Sequence, residues 1–387
     1  MTPAATEKRG LLLAYAVFGL FWGSWAALLP QLKHATGVTD GQLGLALAGI
    51  AVAALPAMLV GGRVVDRLGP GRVLPACLFA FAVTAPLPGL ASGLLTLVVT
   101  LVLLGLTSGA LDISVNAATA GWERLEGDRL MAAGHAAFSV GVVVGSVGTG
   151  FARNAGTAAL PVLLVVGAVV AVAGFGQPAY RRTTSGDLGP RTRRRPARIL
   201  LALGVLVAAA FLLEDALQSW SALHLERGLG ASPAISGLGP GLFALSMAAG
   251  RLLAHVVSRP GREHQVVAAG GLATAVGAVL LAVAPNAPAG LAALVLAGAG
   301  TSVLAPTLFS AIGARSAPGR EGADLSTATA LGYVGFLAGP PLVGAVSAAT
   351  SLPTALGGLG VFGLLLAVVG PQVLSPRRRP AYGTMAA

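Results

Sequence analysis

Two adjacent carboxylates, Glu214 and Asp215, lie deep inside an apolar run from 199 to 220. A charged side chain at the centre of a bilayer-length helix costs about 2.5–3.5 kcal/mol on insertion scales, so each such residue needs a use. Glu214, Gln218 and Ser221 recur at i, i+4 and i+7, which puts them on one helical face with Trp220 beside them. That face either lines a cavity as a proton or cation site, with Glu214 the expected proton carrier, or lies near the helix end and meets water. A second polar stripe, Ser108, Asp112 and Asn116, runs at i, i+4 and i+8 in the apolar run from 94 to 116. His135 opens the next run, and a short connection lets it reach Asp112; the pair would serve a proton pathway or an inner hydrogen bond that never touches a solute. Tyr15, Phe18, Trp22 and Trp25 recur at i, i+3, i+7 and i+10. With Tyr333 they offer aromatic faces to an organic molecule or a cation, or else they pack helices and anchor them at the interface.

Other chemistry is not indicated. The sequence has no phosphate-binding glycine loop, no His-Glu-x-x-His pair and no converging Ser, His and Asp. Cys77 is the only cysteine, which excludes an intramolecular disulfide and a cysteine metal cluster. No enzyme activity, cofactor or metal is expected.

The elements that must position these residues follow from composition. Of 387 residues 55% are hydrophobic and 10% charged, whereas soluble domains carry about 25% charge. A lipid bilayer is therefore the expected surrounding. Apolar runs near 11–30, 42–61, 73–91, 94–116, 132–151 and 158–178, then 199–220, 234–255, 266–285, 289–313, 326–349 and 353–374, predict twelve transmembrane helices. Barrel strands would alternate in polarity, and a run such as Leu94 to Leu106 does not. The first run reads as an uncleaved membrane helix.

Basic residues fix the expected orientation. With a cytoplasmic N-terminus, 22 of the 25 lysines and arginines fall on inner segments, among them Arg251, and Lys33, Arg153 and Arg227 fall outside. Both termini are thus expected in the cytoplasm of a multi-pass plasma (inner) membrane protein. The run Arg191 to Arg198 reads as a cytoplasmic linker near anionic lipid, not a nucleic-acid site, despite a net charge of +11. Two echoes indicate duplication: Gly62-x-x-x-Asp66-Arg67-x-Gly69 recurs in degenerate form at Ala254 to Arg262, and Gly141-x-x-x-Gly145 recurs at Gly335-x-x-x-Gly339. The expected fold is an all-α polytopic membrane protein of two pseudo-symmetric six-helix bundles, 1–179 and 199–387, joined by a linker at 180–198.

The segment Gly62-Arg63-Val64-Val65-Asp66-Arg67-Leu68-Gly69-Pro70-Gly71-Arg72 resembles the signature loop between the second and third helices of the major facilitator superfamily. The resemblance implies that Gly62, Asp66, Arg67, Gly69 and Arg72 form a conformational latch, and that the first, fourth, seventh and tenth spans line the pore. A narrower similarity is to the YbjJ-like bacterial transporters. It rests on Asp112 to Asn116, His135 to Gly141, Glu214 to Ala222 and Leu331 to Pro341, with Asp215 and Ser219 departing from that pattern. Drug/proton antiporter signatures are missing, since Leu101 stands where an arginine is expected and Ser146 follows Gly145. These features point to a secondary transporter, expected to be a monomer, that moves a small-molecule solute by alternating access with protons as coupling ion, as symporter or antiporter. An exporter of drug-like or secondary metabolites, and a membrane sensor that binds without transporting, are the alternatives.

Overall fold

The computed structural model describes residues 2–181, 198–257, 261–316 and 321–375. Twelve helical segments cover nearly all of them. In the first bundle these are α1 (Pro3–Thr36), α2 (Asp40–Leu68), α3 (Pro70–Leu90, ending in a 3-10 turn), α4 (Leu94–Glu126), α5 (Met131–Asn154) and α6 (Ala159–Phe175). In the second they are α7 (Arg198–Arg227), α8 (Leu238–Val257), α9 (Glu263–Ala282), α10 (Ala287–Arg315), α11 (Glu321–Ala349) and α12 (Leu352–Leu374). Ten are long and apolar enough to cross a bilayer. α6 has 17 residues and α8 has 20, which at about 1.5 Å per residue also approaches the hydrocarbon thickness.

Several helices outrun the apolar runs that announce them. α1 starts at Pro3, where the Thr2 hydroxyl accepts from the Ala5 N–H and caps the first turn. α4 continues to Glu126, and its Trp122 indole donates to the Ala4 carbonyl at 3.1 Å. α10 is interrupted between Thr301 and Leu304. Pro306 accounts for the break, because its ring conflicts with the carbonyl four residues earlier, at Ser302.

The duplicated glycine pairs do the same work in both bundles. Gly141 and Gly145 of α5 lie against the carbonyls of Ala16 and Leu20 of α1 so closely that a Cβ would overlap them. Gly335 of α11 lies in the same way against Ala208 of α7. Small residues at these positions let backbones touch, which is how helices associate in lipid. α1 thus packs on α5 as α7 packs on α11, while α2 meets α11 and α5 meets α8 across the two bundles. Large apolar side chains such as Val83, Leu95 and Phe175 are exposed on the outside, as hydrocarbon requires.

Two expectations change. Gly62, Asp66 and Arg67 lie in the last turns of α2, and Arg72 in the first turn of α3. The connection between the helices is Gly69 alone, whose φ of 81° reverses the chain ahead of Pro70. Arg251, counted with the inner segments, lies inside α8. Most of the linker, the C-terminal arginines and residues 258–260 of the second signature echo lie outside the described residues.

Candidate functional site

A cavity of about 270 Å³ opens between the bundles, with walls from α1, α2, α4, α5, α7 and α11. Trp22 and Trp25 enter from α1, Asp112 from α4, Glu214, Asp215 and Gln218 from α7, and Tyr333 from α11. Helical spacing brings the α7 group together: Glu214 and Gln218 are four residues apart, and Asp215 and Ser219 form the adjacent pair. The Ser219 hydroxyl donates to Asp215 at 3.2 Å.

Asp112 joins the two bundles inside this cavity. Its Oδ1 accepts from the Asn116 amide at 3.0 Å, and its Oδ2 from the Tyr333 hydroxyl of α11 at 3.3 Å. Asn116 in turn accepts from the Tyr15 hydroxyl at 2.8 Å. A hydrogen-bonded chain therefore runs from α1 through α4 to α11. Glu214 has a different partner, the Arg251 guanidinium at 3.6 Å.

Other expected members lie off the wall. Tyr15 is buried against Asn116 and Met131. His135 does not pair with Asp112; its ring packs on Tyr15 with centroids 5.4 Å apart. Trp220 is 1% exposed, and its indole N–H has no partner among the described residues. Six residues beyond Glu214, it points about 120° away from the cavity face. Ser221 is on the right face but fully buried, one turn beyond Gln218. α10 adds no side chain to the wall, whereas Phe18, Phe138 and Phe336 do. Among the described residues no cluster of His, Cys, Asp or Glu could hold a metal ion.

At the end where α1 turns into α2 the bundles are joined. Asp40 takes Lys33 at 3.1 Å and, across the interface, Arg227 at 2.6 Å and the Ser347 hydroxyl. Arg153 of α5 holds Glu226 of α7 with two hydrogen bonds of 2.6 and 3.1 Å. The Ser146 hydroxyl donates to the Gly237 carbonyl, and Gly44 lies against Gly344. At the opposite end Arg181, at the start of the linker, pairs with Glu7 and Glu126 of the first bundle, and Lys8 pairs with Asp128.

Two helical bundles enclosing a largely apolar cavity, with three carboxylates in its wall, have the architecture of a membrane transporter. Residues 11–259 and 203–384 match the family model of the Major Facilitator Superfamily, and the chain belongs to that superfamily. It is 28% identical over 360 residues to an uncharacterised MFS-type transporter of Yersinia pestis, covering 92% of each chain. It is 26% identical over 342 residues to the membrane protein MosC of Rhizobium meliloti, covering 88% of this chain and 84% of MosC. Among solved structures, a variant of the nucleoside transporter NupG superposes with a TM-score of 0.78 at 11% identity, covering 95% of this chain and 100% of NupG. A bacterial homologue of the human lysosomal transporter Spinster, in an inward-facing and unoccupied conformation, gives 0.73 at 13% identity, with 97% and 98% covered.

Proposed function

We propose that this chain is a secondary transporter that moves a small organic solute by alternating access, with protons as the coupling ion. The observation that carries the reading is the cavity with carboxylates from both bundles, joined across the interface at one end by Asp40–Arg227 and Arg153–Glu226. Rocking of one bundle against the other would open that end and close the opposite one. With the termini in the cytoplasm, as the basic residues indicate, the joined end faces outward and this state opens inward.

The proton assignment moves from Glu214 to its neighbour. The Arg251 guanidinium at 3.6 Å favours the charged form of Glu214. Asp215 has, among the described residues, the neutral Ser219 hydroxyl as its hydrogen-bond partner. An aromatic wall of Phe18, Trp22, Trp25, Phe138 and Phe336 favours export of a ring-bearing solute as a second reading. The names of the fold relatives do not carry their solutes here, because identities of 11% and 13% reflect fold alone.

The test is flux in proteoliposomes of a solute found by thermal-shift screening. Accumulation driven by a pH gradient, lost in Asp215→Asn and retained in Glu214→Gln, supports the reading. Saturable binding with no flux in either direction would replace it with a sensor.

A further inference from the structure

The charge balance of the cavity narrows the solute class, an inference that rests on the transporter reading above. The wall carries Asp112 from one bundle and Glu214 and Asp215 from the other, and no lysine, arginine or histidine. Glu214 is matched by Arg251 behind the wall. Among the described residues Asp112 is met by the neutral donors Asn116 and Tyr333, and Asp215 by Ser219. Neither joins an ion pair with any described residue. Carboxylates in the wall of a largely apolar cavity are costly to keep charged without a cation beside them. The balancing positive charge must then arrive with whatever occupies the space.

Protons alone could supply it, but the rest of the wall is built for more. Trp22 and Trp25 line the same cavity, Trp22 half-buried and Trp25 set deeper against Phe21, and indole is the strongest aromatic partner for an organic cation. The volume of about 270 Å³ decides the size. Drug-sized ligands occupy sites of roughly 300–1,000 Å³, so the fit is to a metabolite-sized molecule.

We propose that the cavity binds a small organic ammonium ion, its charge balanced by Asp112 and Asp215 and its carbon body lying against Trp22 and Trp25. The two carboxylates come from α4 and α7, so the ion would be held by both bundles at once. Its ammonium protons are donors that an ionised carboxylate, an acceptor only, can receive.

The experiment uses the full chain in detergent, followed by thermal unfolding and tryptophan fluorescence. The probes are benzylammonium, phenethylammonium, choline and putrescine, with benzyl alcohol and benzoate as shape-matched neutral and anionic controls. At least one ammonium ion should raise the melting temperature saturably, with neither control doing so. Asp112→Asn and Asp215→Asn should each weaken its apparent Kd about ten-fold or more, and Trp25→Leu about three-fold. Equal stabilisation by benzyl alcohol, an unchanged Kd in both asparagine variants, or no shift with any ammonium ion would overturn the proposal. Should an asparagine variant not fold, the comparison of ammonium, alcohol and carboxylate on the native chain decides alone. Ammonium binding without flux in proteoliposomes would sink transport and leave this site standing. Flux of a neutral or anionic solute with no ammonium binding would do the reverse.

Discussion

Arg153 and Glu226 meet across the bundle interface in a two-toothed ion pair, and their side chains are 6% and 18% exposed. Arg227, the other basic partner at this end, is 50% exposed. Water screens the second pair and leaves the first closer to full strength. Arg153→Gln should therefore shift the conformational equilibrium toward opening at the α1–α2 end by about ten-fold, and Arg227→Gln by about two-fold. Distances between spin labels at Ala155 and Ser232, in a Cys77→Ala background, would measure both; equal effects would contradict the ranking.

The glycine seam within the first bundle predicts a contrast along one helix. Gly141 of α5 faces the Ala16 carbonyl, whereas Gly148 has no atom within 4 Å of where a Cβ would stand. Gly141→Val should cost roughly 1–3 kcal/mol or prevent folding, while Gly148→Ala leaves the melting temperature unchanged or slightly raised. Thermal unfolding in detergent separates the two.

Glu214 and Arg251 make a second pairwise prediction. Glu214→Gln alone leaves a guanidinium unmatched in the second bundle and should destabilise the chain, as should Arg251→Gln. The double variant should recover much of the loss, since removing both charges is milder than removing one. Additive losses in a double-mutant cycle would show that the 3.6 Å contact carries no coupling.

Asp66 is exposed near the end of α2, at the end of the molecule opposite the Asp40–Arg227 pair. A latch that engages when that side closes predicts that Asp66→Asn changes the rate of conformational exchange more than solute affinity. Relaxation measurements on the same spin-labelled background report the rate. A collapse of affinity with normal exchange would refute the latch.

Orientation is checked by cysteine labelling of intact cells in the Cys77→Ala background. A cysteine at Ala155 should react with an impermeant maleimide from outside, and one at Leu125 only after permeabilisation. The reverse pattern would invert the topology.

The twelve helices were legible because hydrocarbon thickness imposes one length on each apolar run. Their ends were not: α1 and α4 extend past the apolar region on capping and on the Trp122–Ala4 bond, which hydropathy does not register. On the wall, Trp22, Trp25, Asp112, Glu214, Asp215, Gln218 and Tyr333 were all visible as polar or aromatic residues inside apolar runs. Trp220 neighbours these residues in sequence but does not share their helical face, and it is buried away from the wall. Arg251, within the run at 234–255, counts toward the inner charge but as an arginine inside an apolar run carries the same signal as Glu214. Asp40 and Glu226 gave no signal, since a carboxylate at a helix end looks solvated until its distant partner is known.

The Arg153–Glu226 and Arg227–Asp40 pairs also constrain the order in which the protein can be made. Their members are separated by 73 and 187 positions in the chain. A ribosome delivers the first bundle to the membrane with Arg153 already emitted and Glu226 not yet translated. If the termini are cytoplasmic, that arginine crosses the bilayer alone. The last turn of α7 then brings Glu226 and Arg227 together, supplying the acid that Arg153 awaits and the base that crosses to Asp40. Both charged partners that the second half brings to this end thus come from a single helix end.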